Sequence, residues 1–170
     1  IGASLVKKDK LFFGVLGDLA FFYDLNSLGN KHIGKNLRIL LVNNGCGAEF
    51  KLSNHYGSQF GDQTEDYIAA GHHFGNKSPN LVRHYATDLG FKYITASTKE
   101  EFLNCLEEFV SLETDRSIVF ECFTSPKDES DALEMIQDIN PYTSSKTILK
   151  SVAKSILPQN VIDIAKKYLK

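Results

Sequence analysis

Asp18 and Asn44 have side chains, and places along the chain, that could bind one cation together. Asp18 follows the apolar run 11–17, and Asn44 follows a second apolar run, 37–43. If these runs are neighbouring parallel strands, both side chains lie at the same edge of a sheet. Carboxylate and amide oxygens suit a hard cation such as Mg²⁺ or Ca²⁺. Because Mg²⁺ usually keeps positions for phosphate oxygens, a diphosphate ligand is expected beside it.

The residues after these two positions suit a phosphorylated ligand. The segment after Asp18 is expected to begin a helix, whose first backbone N–H groups have no partner within the helix. Gly45 and Gly47 flank Cys46 and allow a tight turn that brings backbone groups inward. Each signal alone is common, because an Asp after a strand can simply cap a helix and Asn-Asn-Gly is a frequent turn. Their occurrence after successive apolar runs favours a binding site.

Apolar runs predict the strands that position these residues, at 11–17, 37–43, 91–97 and 117–123. The first, second and fourth are apolar almost throughout, which is typical of parallel strands buried on both faces. Helical patterns lie between the runs. This alternation predicts an α/β fold with a doubly wound parallel sheet, whose ligand lies beyond the carboxyl ends of the strands.

The helical patterns carry recognisable start and stop signals. Ser78 is a candidate N-cap for a helix that ends at Gly90. Thr98 and Glu101 have the spacing of a capping box. A further helix has acidic residues in its first turn, where the macrodipole favours them. The predicted helices cover residues 20–28 (with Phe21, Leu25 and Leu28 on one stripe), 78–90, a stretch that starts at 97 or 98 and ends at 112, and 127–139.

Two regions are less regular. Residues 49–77 are long, polar and rich in glycine, with a short helix predicted at 65–70, and such a connection often covers a site. Residues 143–170 contain two amphipathic stretches, read either as a surface appendage or as a contact to a neighbouring chain. We therefore predict a ligand-binding domain at 1–140 and a helical C-terminal extension at 141–170. Because the chain begins with Ile1 in what resembles the end of a helix, we expect a fragment of a larger protein.

Composition narrows the class of protein. The formal net charge of −2 does not favour nucleic acid, which usually requires a basic face. No apolar run approaches the roughly 18 residues of a membrane span, and no signal peptide opens the chain. The cysteines Cys46, Cys105 and Cys122 are sparse and lack CxxC spacing, which indicates reduced thiols in a cytoplasmic protein.

Several polar residues of the long loop leave their roles open. His55 and the pair His72–His73 could be solvated or capping residues, could contact a substrate, or could bind a metal. Adjacent histidines on a helix point in different directions, so joint ligation by the pair is unfavourable. Glu49, just after the glycines, is read as an exposed loop acid or as a residue on the substrate side.

The strings around Asp18 and Asn44 carry a family resemblance. The pattern is similar to the motif of thiamine diphosphate (ThDP) enzymes, which begins with GDG and closes with NN. The strings GDLAFFYDLNSL and LRILLVNNGCG resemble most closely the branch that contains the menaquinone-biosynthesis enzyme 2-succinyl-5-enolpyruvyl-6-hydroxy-3-cyclohexene-1-carboxylate (SEPHCHC) synthase. Leu19 stands where GDG has glycine, and Ala20 stands where that branch has serine, so no hydroxyl is available there.

The resemblance implies a role for each matching residue. Asp18 and Asn44 would give side-chain oxygens to Mg²⁺, and Cys46 would give its backbone carbonyl. Asn43 would support the turn. The implied cofactor-binding residues are Gly17, Asp18, Leu19, Ala20, Asn44, Cys46 and Gly47.

The resemblance also implies an activity and partners. Such enzymes use ThDP to decarboxylate a 2-oxo acid or to ligate the resulting carbanion to an acceptor. Their activating Glu belongs to a separate pyrimidine-binding domain, usually across a homodimer or homotetramer interface. No catalytic residue is therefore assigned here, and the chain alone is expected to be inactive.

Other functions remain open at this point. A ThDP-dependent decarboxylase or synthase of surface-polysaccharide biosynthesis would carry similar strings. A non-catalytic α/β nucleotide-binding module is a further alternative. A dinucleotide-binding module is disfavoured, because no GxGxxG opens a helix after the first strand.

Overall fold

The computed structural model describes residues 1–51, 55–64 and 78–139. The helix predicted at 65–70, the pair His72–His73 and the C-terminal stretches of 143–170 lie outside these residues. By Cα proximity the chain divides into a unit Ile1–Asp131 and a unit Ala132–Lys170. The fold and the site below belong to the first unit, and the domain boundary expected at residue 140 stays a prediction.

The described residues contain a four-stranded, all-parallel sheet. Its strands are β1 (Phe12–Gly17), β2 (Leu37–Asn43), β3 (Lys92–Ala96) and β4 (Ile118–Phe123), in the spatial order β1-β2-β4-β3. The helices are α1 (Gly2–Val6), α2 (Asp18–Tyr23), α3 (Leu81–Asp88), α4 (Lys99–Val110) and α5 (Pro126–Ile139). Short 3₁₀ segments cover Leu25–Gly29, Ala48–Lys51 and Tyr56–Gln63.

The sheet is wound on both faces, as the alternation of elements predicted. Successive side chains of a strand point to opposite faces, so β2 contributes to both sides. One core packs α2 and α3 on the sheet, with members Phe21, Leu28, Leu37, Ile39, Leu41, Val82, Ala86, Phe91 and Val119. The other packs α4 on the opposite face, with members Ala96, Phe109, Ile118 and Phe120. Burial of each large apolar side chain stabilises the fold by about 1.5–3 kcal/mol.

The prediction that the first strand is buried on both faces is wrong. β1 lies at the edge of the sheet and its burial alternates, with Phe13 52% exposed and Val15 68% exposed. The apolar run could not reveal this, because it records side-chain type and not the number of neighbours a strand has. Phe13 still meets Phe109 of α4 edge to face, with ring centroids 5.6 Å apart.

The helix signals are confirmed in part. Thr98 and Glu101 form the predicted capping box at the start of α4. Gly90 follows α3 with a φ of +85°, a conformation that favours glycine. The N-cap of α3 is Asn80 and not Ser78, whose carbonyl instead accepts the N–H of Leu81 in the preceding turn.

The predicted helix 20–28 begins earlier and is shorter. α2 starts at Asp18 and ends at Tyr23, and the chain continues in a 3₁₀ turn over Leu25–Gly29. Asn26 and Ser27, within that turn, are weak helix formers because their side chains compete for backbone hydrogen bonds. The predicted stripe still faces the core, because Phe21 and Leu28 are buried and Leu25 packs against them.

At the amino end of β2, a buried arginine joins several segments. Arg38 is fully buried and donates to the carbonyls of Lys35, Phe109 and Ser111. It also donates to the Leu37 carbonyl and to the Thr114 hydroxyl. Burial lowers the pKa of Arg38, yet the group stays protonated because the ordinary value for arginine is very high. One side chain thus supplies hydrogens to the loop before β2 and to the end of α4.

Among the described residues, no helix combines the length and the apolar character that crossing a bilayer demands.

Candidate functional site

The ends of β1 and β2 lie side by side. The two strands pair in parallel, with Gly17 opposite Val42. Asp18, the first residue of α2, directly follows β1, and Asn44 directly follows β2. The two side chains are therefore at the same edge of the sheet, as the prediction of a shared site requires.

A pocket of about 480 Å³ opens at this edge. All seven residues predicted to contact the cofactor line it: Gly17, Asp18, Leu19, Ala20, Asn44, Cys46 and Gly47. Tyr23, Val42, Ala48, Phe50 and Glu129 complete the lining. The structure thus brings the predicted residues together, while their binding roles stay predictions.

The two candidate cation ligands differ in burial. Asp18 is only 2% exposed, whereas Asn44 is partly buried. Asn44 makes two contacts through its side chain: its Oδ1 accepts the N–H of Cys46 at 2.8 Å, and its Nδ2 donates to Oε2 of Glu129 at 2.6 Å. The first contact is an Asx turn, which holds the loop after β2 close to the strand.

Asn43 holds the same loop from the other side of β2. Its Oδ1 accepts the N–H of Gly45 at 3.1 Å, and its Nδ2 donates to Oε1 of Glu121 at 2.7 Å. Gly45 has a φ of +76°, which explains why glycine is found there. Asn43 therefore supports the turn, the role that the resemblance implied for it.

Glu121 is a buried acid beneath the site that the sequence analysis did not identify. It lies on β4, is 1% exposed, and accepts hydrogen bonds from Asn43 and from the hydroxyl of Tyr93. Burial raises the pKa of Glu121, the two hydrogen bonds lower it, and the charge of Asp18 raises it further. Burial and the contact with Glu121 also raise the pKa of Tyr93.

Glu121→Gln is expected to remove a pH-dependent loss of stability. Because the folded pKa of Glu121 is raised, the native state binds more protons than the unfolded state between the two pKa values. Its contribution to stability is therefore complete below the unfolded pKa and falls as pH rises through the folded pKa. Urea unfolding at a series of pH values, in EDTA, should show a smaller decline for the variant. Parallel curves for both proteins would contradict the prediction.

Cys46 is buried, and its backbone N–H is held by Asn44. Its predicted contribution is a backbone carbonyl, which does not require a reactive thiol. Cys46, Cys105 and Cys122 are all free thiols, as the sparse spacing predicted. Burial, the largest cause, raises the pKa of Cys122 to about 11, so its thiol is protonated at neutral pH.

Glu129 is an ionisable residue that lines the pocket and that the sequence analysis did not identify. It lies in the first turn of α5, after β4, and that turn contains the predicted acidic residues. A signal was available, because β4 is the other neighbour of β2 and the helix after it begins at the same edge of the sheet. From the sequence alone, the acidic first turn predicts only a favourable interaction with the helix dipole.

The loop histidine that the structure describes has a local role. The Nδ1 of His55 accepts the N–H of Gly57 at 2.9 Å, and its ring meets Phe50 edge to face. His55 does not line the pocket, although Phe50 does. The side chain of Glu49 lies outside the described residues. Among the residues described, no group of three or more His, Cys, Asp and Glu side chains could hold a metal ion.

Curated proteins provide the comparison, since no protein-family model matches the chain. The chain is 34% identical over 125 residues to the 2-succinyl-5-enolpyruvyl-6-hydroxy-3-cyclohexene-1-carboxylate synthase of Phocaeicola vulgatus, covering 73% of this chain and 21% of that protein. A synthase of the same name from Bacteroides fragilis is 33% identical over 135 residues, with 79% and 23% covered. The one from Christiangramia forsetii is 31% identical over 134 residues, with 78% and 21% covered.

The chain thus spans about a fifth of the length of these relatives. The matches extend over about three quarters of the chain itself, well beyond the strings around Asp18 and Asn44. By its sequence, the chain is therefore similar to one segment of 2-succinyl-5-enolpyruvyl-6-hydroxy-3-cyclohexene-1-carboxylate synthases.

Proposed function

We propose that this chain is the diphosphate-binding part of a ThDP- and Mg²⁺-dependent enzyme that decarboxylates a 2-oxo acid and ligates the product to an acceptor. The reaction we propose is the one in the relatives' name, formation of 2-succinyl-5-enolpyruvyl-6-hydroxy-3-cyclohexene-1-carboxylate. The observation that carries the proposal is the convergence of seven motif residues, from two neighbouring strand ends, on one pocket.

The residues of the pocket fit the proposed cation. Asp18 and Asn44 offer a carboxylate oxygen and an amide oxygen, and hard divalent cations prefer oxygen ligands. Cys46 would add a backbone carbonyl from the loop that Asn44 holds. The described residues contain no group of three or more His, Cys, Asp and Glu side chains that could hold a metal ion. The proposed ligand set includes only one such side chain, Asp18, and is completed by an amide oxygen and a backbone carbonyl.

The pocket also fits a diphosphate. A Cβ added to Gly17 would meet no atom within 4 Å, so packing does not require glycine there and the bare backbone is accessible to a ligand. Leu19 and Ala20 follow in the first turn of α2, where backbone N–H groups lack partners within the helix. These N–H groups would bind diphosphate oxygens without any side-chain hydroxyl, which agrees with alanine at position 20.

The role of this chain in the reaction is to bind and orient. ThDP, when bound, supplies the carbanion-stabilising centre for 2-oxo acid chemistry. Asp18 and Asn44 would hold the cation that offsets the charge of the diphosphate, and the side chains of Asn43 and Asn44 are held by hydrogen bonds to Glu121 and Glu129. These residues would hold a bound diphosphate in one orientation, which is the positioning that such chemistry requires.

The proposal includes a partner. The Glu that activates the cofactor is assigned to a pyrimidine-binding domain of the same enzyme, across the interface of a homodimer or homotetramer. The chain alone is then inactive, because the activating group and half of the cofactor site belong elsewhere. A ThDP enzyme of surface-polysaccharide biosynthesis would use the same pocket, but the names of the relatives favour the synthase.

Calorimetric titration of the complete protein tests the proposal. We expect ThDP to bind only when Mg²⁺ is present, and NAD not to bind. Binding of NAD, or absence of ThDP binding, would contradict the proposal and favour a different α/β nucleotide-binding module. ThDP binding without formation of the named product would leave the cofactor assignment intact and overturn the substrate assignment.

A further inference from the structure

The Glu129 carboxylate joins the ends of two strands at the pocket. Its Oε2 accepts the Nδ2 hydrogen of Asn44 at 2.6 Å, and its Oε1 accepts the hydroxyl hydrogen of Thr124. Thr124 directly follows β4 and donates its backbone N–H to the carbonyl of Asn43 at 3.0 Å. The carboxylate is therefore fixed by one residue after β4 and by one residue after β2.

The main chain of Glu129 is also hydrogen-bonded, at the start of α5. Its N–H donates to the carbonyl of Ser125 at 3.2 Å, within the first turn of the helix. Ser125 itself caps this turn, since its Oγ accepts the N–H of Asp128. With the main chain and both carboxylate oxygens engaged, Glu129 has one defined position relative to Asn44.

The hydrogen-bond partners of Asn44 determine the positions of its amide oxygen and its amide nitrogen. An ionised carboxylate only accepts hydrogens, so the atom facing Glu129 must be the amide nitrogen. A backbone N–H only donates, so the atom facing Cys46 must be the amide oxygen. The oxygen retains a second lone pair after accepting the N–H of Cys46, and that lone pair is available to a cation.

We propose that Glu129 is a positioning residue for Asn44. By accepting the amide hydrogen, it holds the Asn44 oxygen in the pocket and opposes a flip that would present the nitrogen to the cation. This inference rests on the proposed function, and it adds a residue from β4–α5 to a site predicted from the ends of β1 and β2 alone.

A general effect of negative charge is the competing explanation for any loss of affinity. Glu129→Gln separates the two, because a glutamine oxygen still accepts the Asn44 hydrogen while the charge is gone. Asp131→Ala is the matched control: it removes a carboxylate from the same helix that pairs only with the exposed Lys127 in the described structure. A positioning role predicts that the glutamine variant and the control keep most of the affinity.

The test is calorimetric titration of Mn²⁺ into the complete protein in the presence of ThDP. Outer partners of metal ligands typically change metal affinity by about 10–100-fold, so we expect a loss in this range for Glu129→Ala. The same substitution is then made in an Asn44→Asp background, where an oxygen ligand remains but no amide hydrogen does. There, Glu129→Ala should not lower the affinity, because the contact it removes no longer exists.

The outcomes separate this inference from the proposed function. No Mn²⁺-dependent ThDP binding by the unaltered protein would overturn both. Normal binding with an unchanged Glu129→Ala variant would overturn only the positioning role. An equal loss of affinity from Glu129→Ala in the unaltered and in the Asn44→Asp backgrounds would also overturn the positioning role, because Glu129 would then act independently of the Asn44 amide. Equal melting temperatures of the variants exclude a loss of folding as the cause.

Discussion

Asp18→Ala is expected to lower the affinity of the complete protein for ThDP with Mg²⁺ by at least about a hundredfold, the upper end of what an outer partner of a metal ligand causes. Asp18 is the carboxylate among the proposed ligands, lines the pocket and is only 2% exposed. Its loss removes both a ligand and the charge that offsets the cation. Calorimetric titration of variant and unaltered protein gives the ratio directly.

Folding should survive this substitution. The charge of Asp18 raises the pKa of the buried Glu121, so the two carboxylates repel each other. Removing Asp18 relieves this repulsion. A melting temperature close to that of the unaltered protein, in EDTA, would show that binding and not folding is lost. Asp24→Asn, an exposed acid after the same helix, is the control and should bind normally.

Full ThDP affinity in Asp18→Ala would remove the basis of the proposed site. The cofactor would then be bound by other residues of the pocket or at a different place on the protein. Asn44 alone could not explain a dependence on Mg²⁺, because an uncharged amide is a weak ligand without a carboxylate partner.

Arg38→Ala is expected to destabilise the fold by about 3–5 kcal/mol, a large share of the total for an ordinary domain. The substitution leaves the carbonyls of Lys35, Phe109 and Ser111 without the donor that they have in the structure. Buried acceptors that lose their partner cost about 1–3 kcal/mol each. Urea unfolding, with the slope compared between proteins, measures the loss.

Two further variants test the cause. Arg38→Lys should recover little, because one ammonium group cannot reproduce a planar fork of donors. Arg116→Ala is the control for loss of an arginine as such: its guanidinium is exposed and pairs with Asp115. That change should leave the free energy of unfolding nearly unchanged, because exposed ion pairs contribute little to stability. Equal destabilisation by both alanine variants would contradict the role given to Arg38.

The sequence predicted the strand ends and their convergence because the information is local. The first apolar run stops at Asp18 and the second at Asn43–Asn44, so the strand ends could be located although the burial of β1 was predicted wrongly. The capping box of Thr98 and Glu101 was equally local, since three positions separate its members. The double winding followed from the alternation of strands and helices.

What could not be predicted depends on contacts between distant residues. The exposure of Phe13 and Val15 follows from the edge position of β1, which the strand sequence does not contain. Glu121 was hidden in an apolar run, and its partners Tyr93 and Asn43 come from different strands. Glu129 reaches Asn44 only because β4 lies next to β2, an order that no spacing along the chain reveals.

β2 carries the buried Arg38 near its beginning, and the proposed cation ligand Asn44 directly follows its end. A parallel strand rises about 3.3 Å per residue, so Arg38 and Asn44 are separated by about 20 Å along its axis. Substitutions more than about 7–10 Å apart without shared partners usually add independently. Substitutions at the amino end of β2 should therefore change the free energy of unfolding without changing the cation affinity. A stabilising substitution there would allow destabilising changes in the pocket to be tolerated.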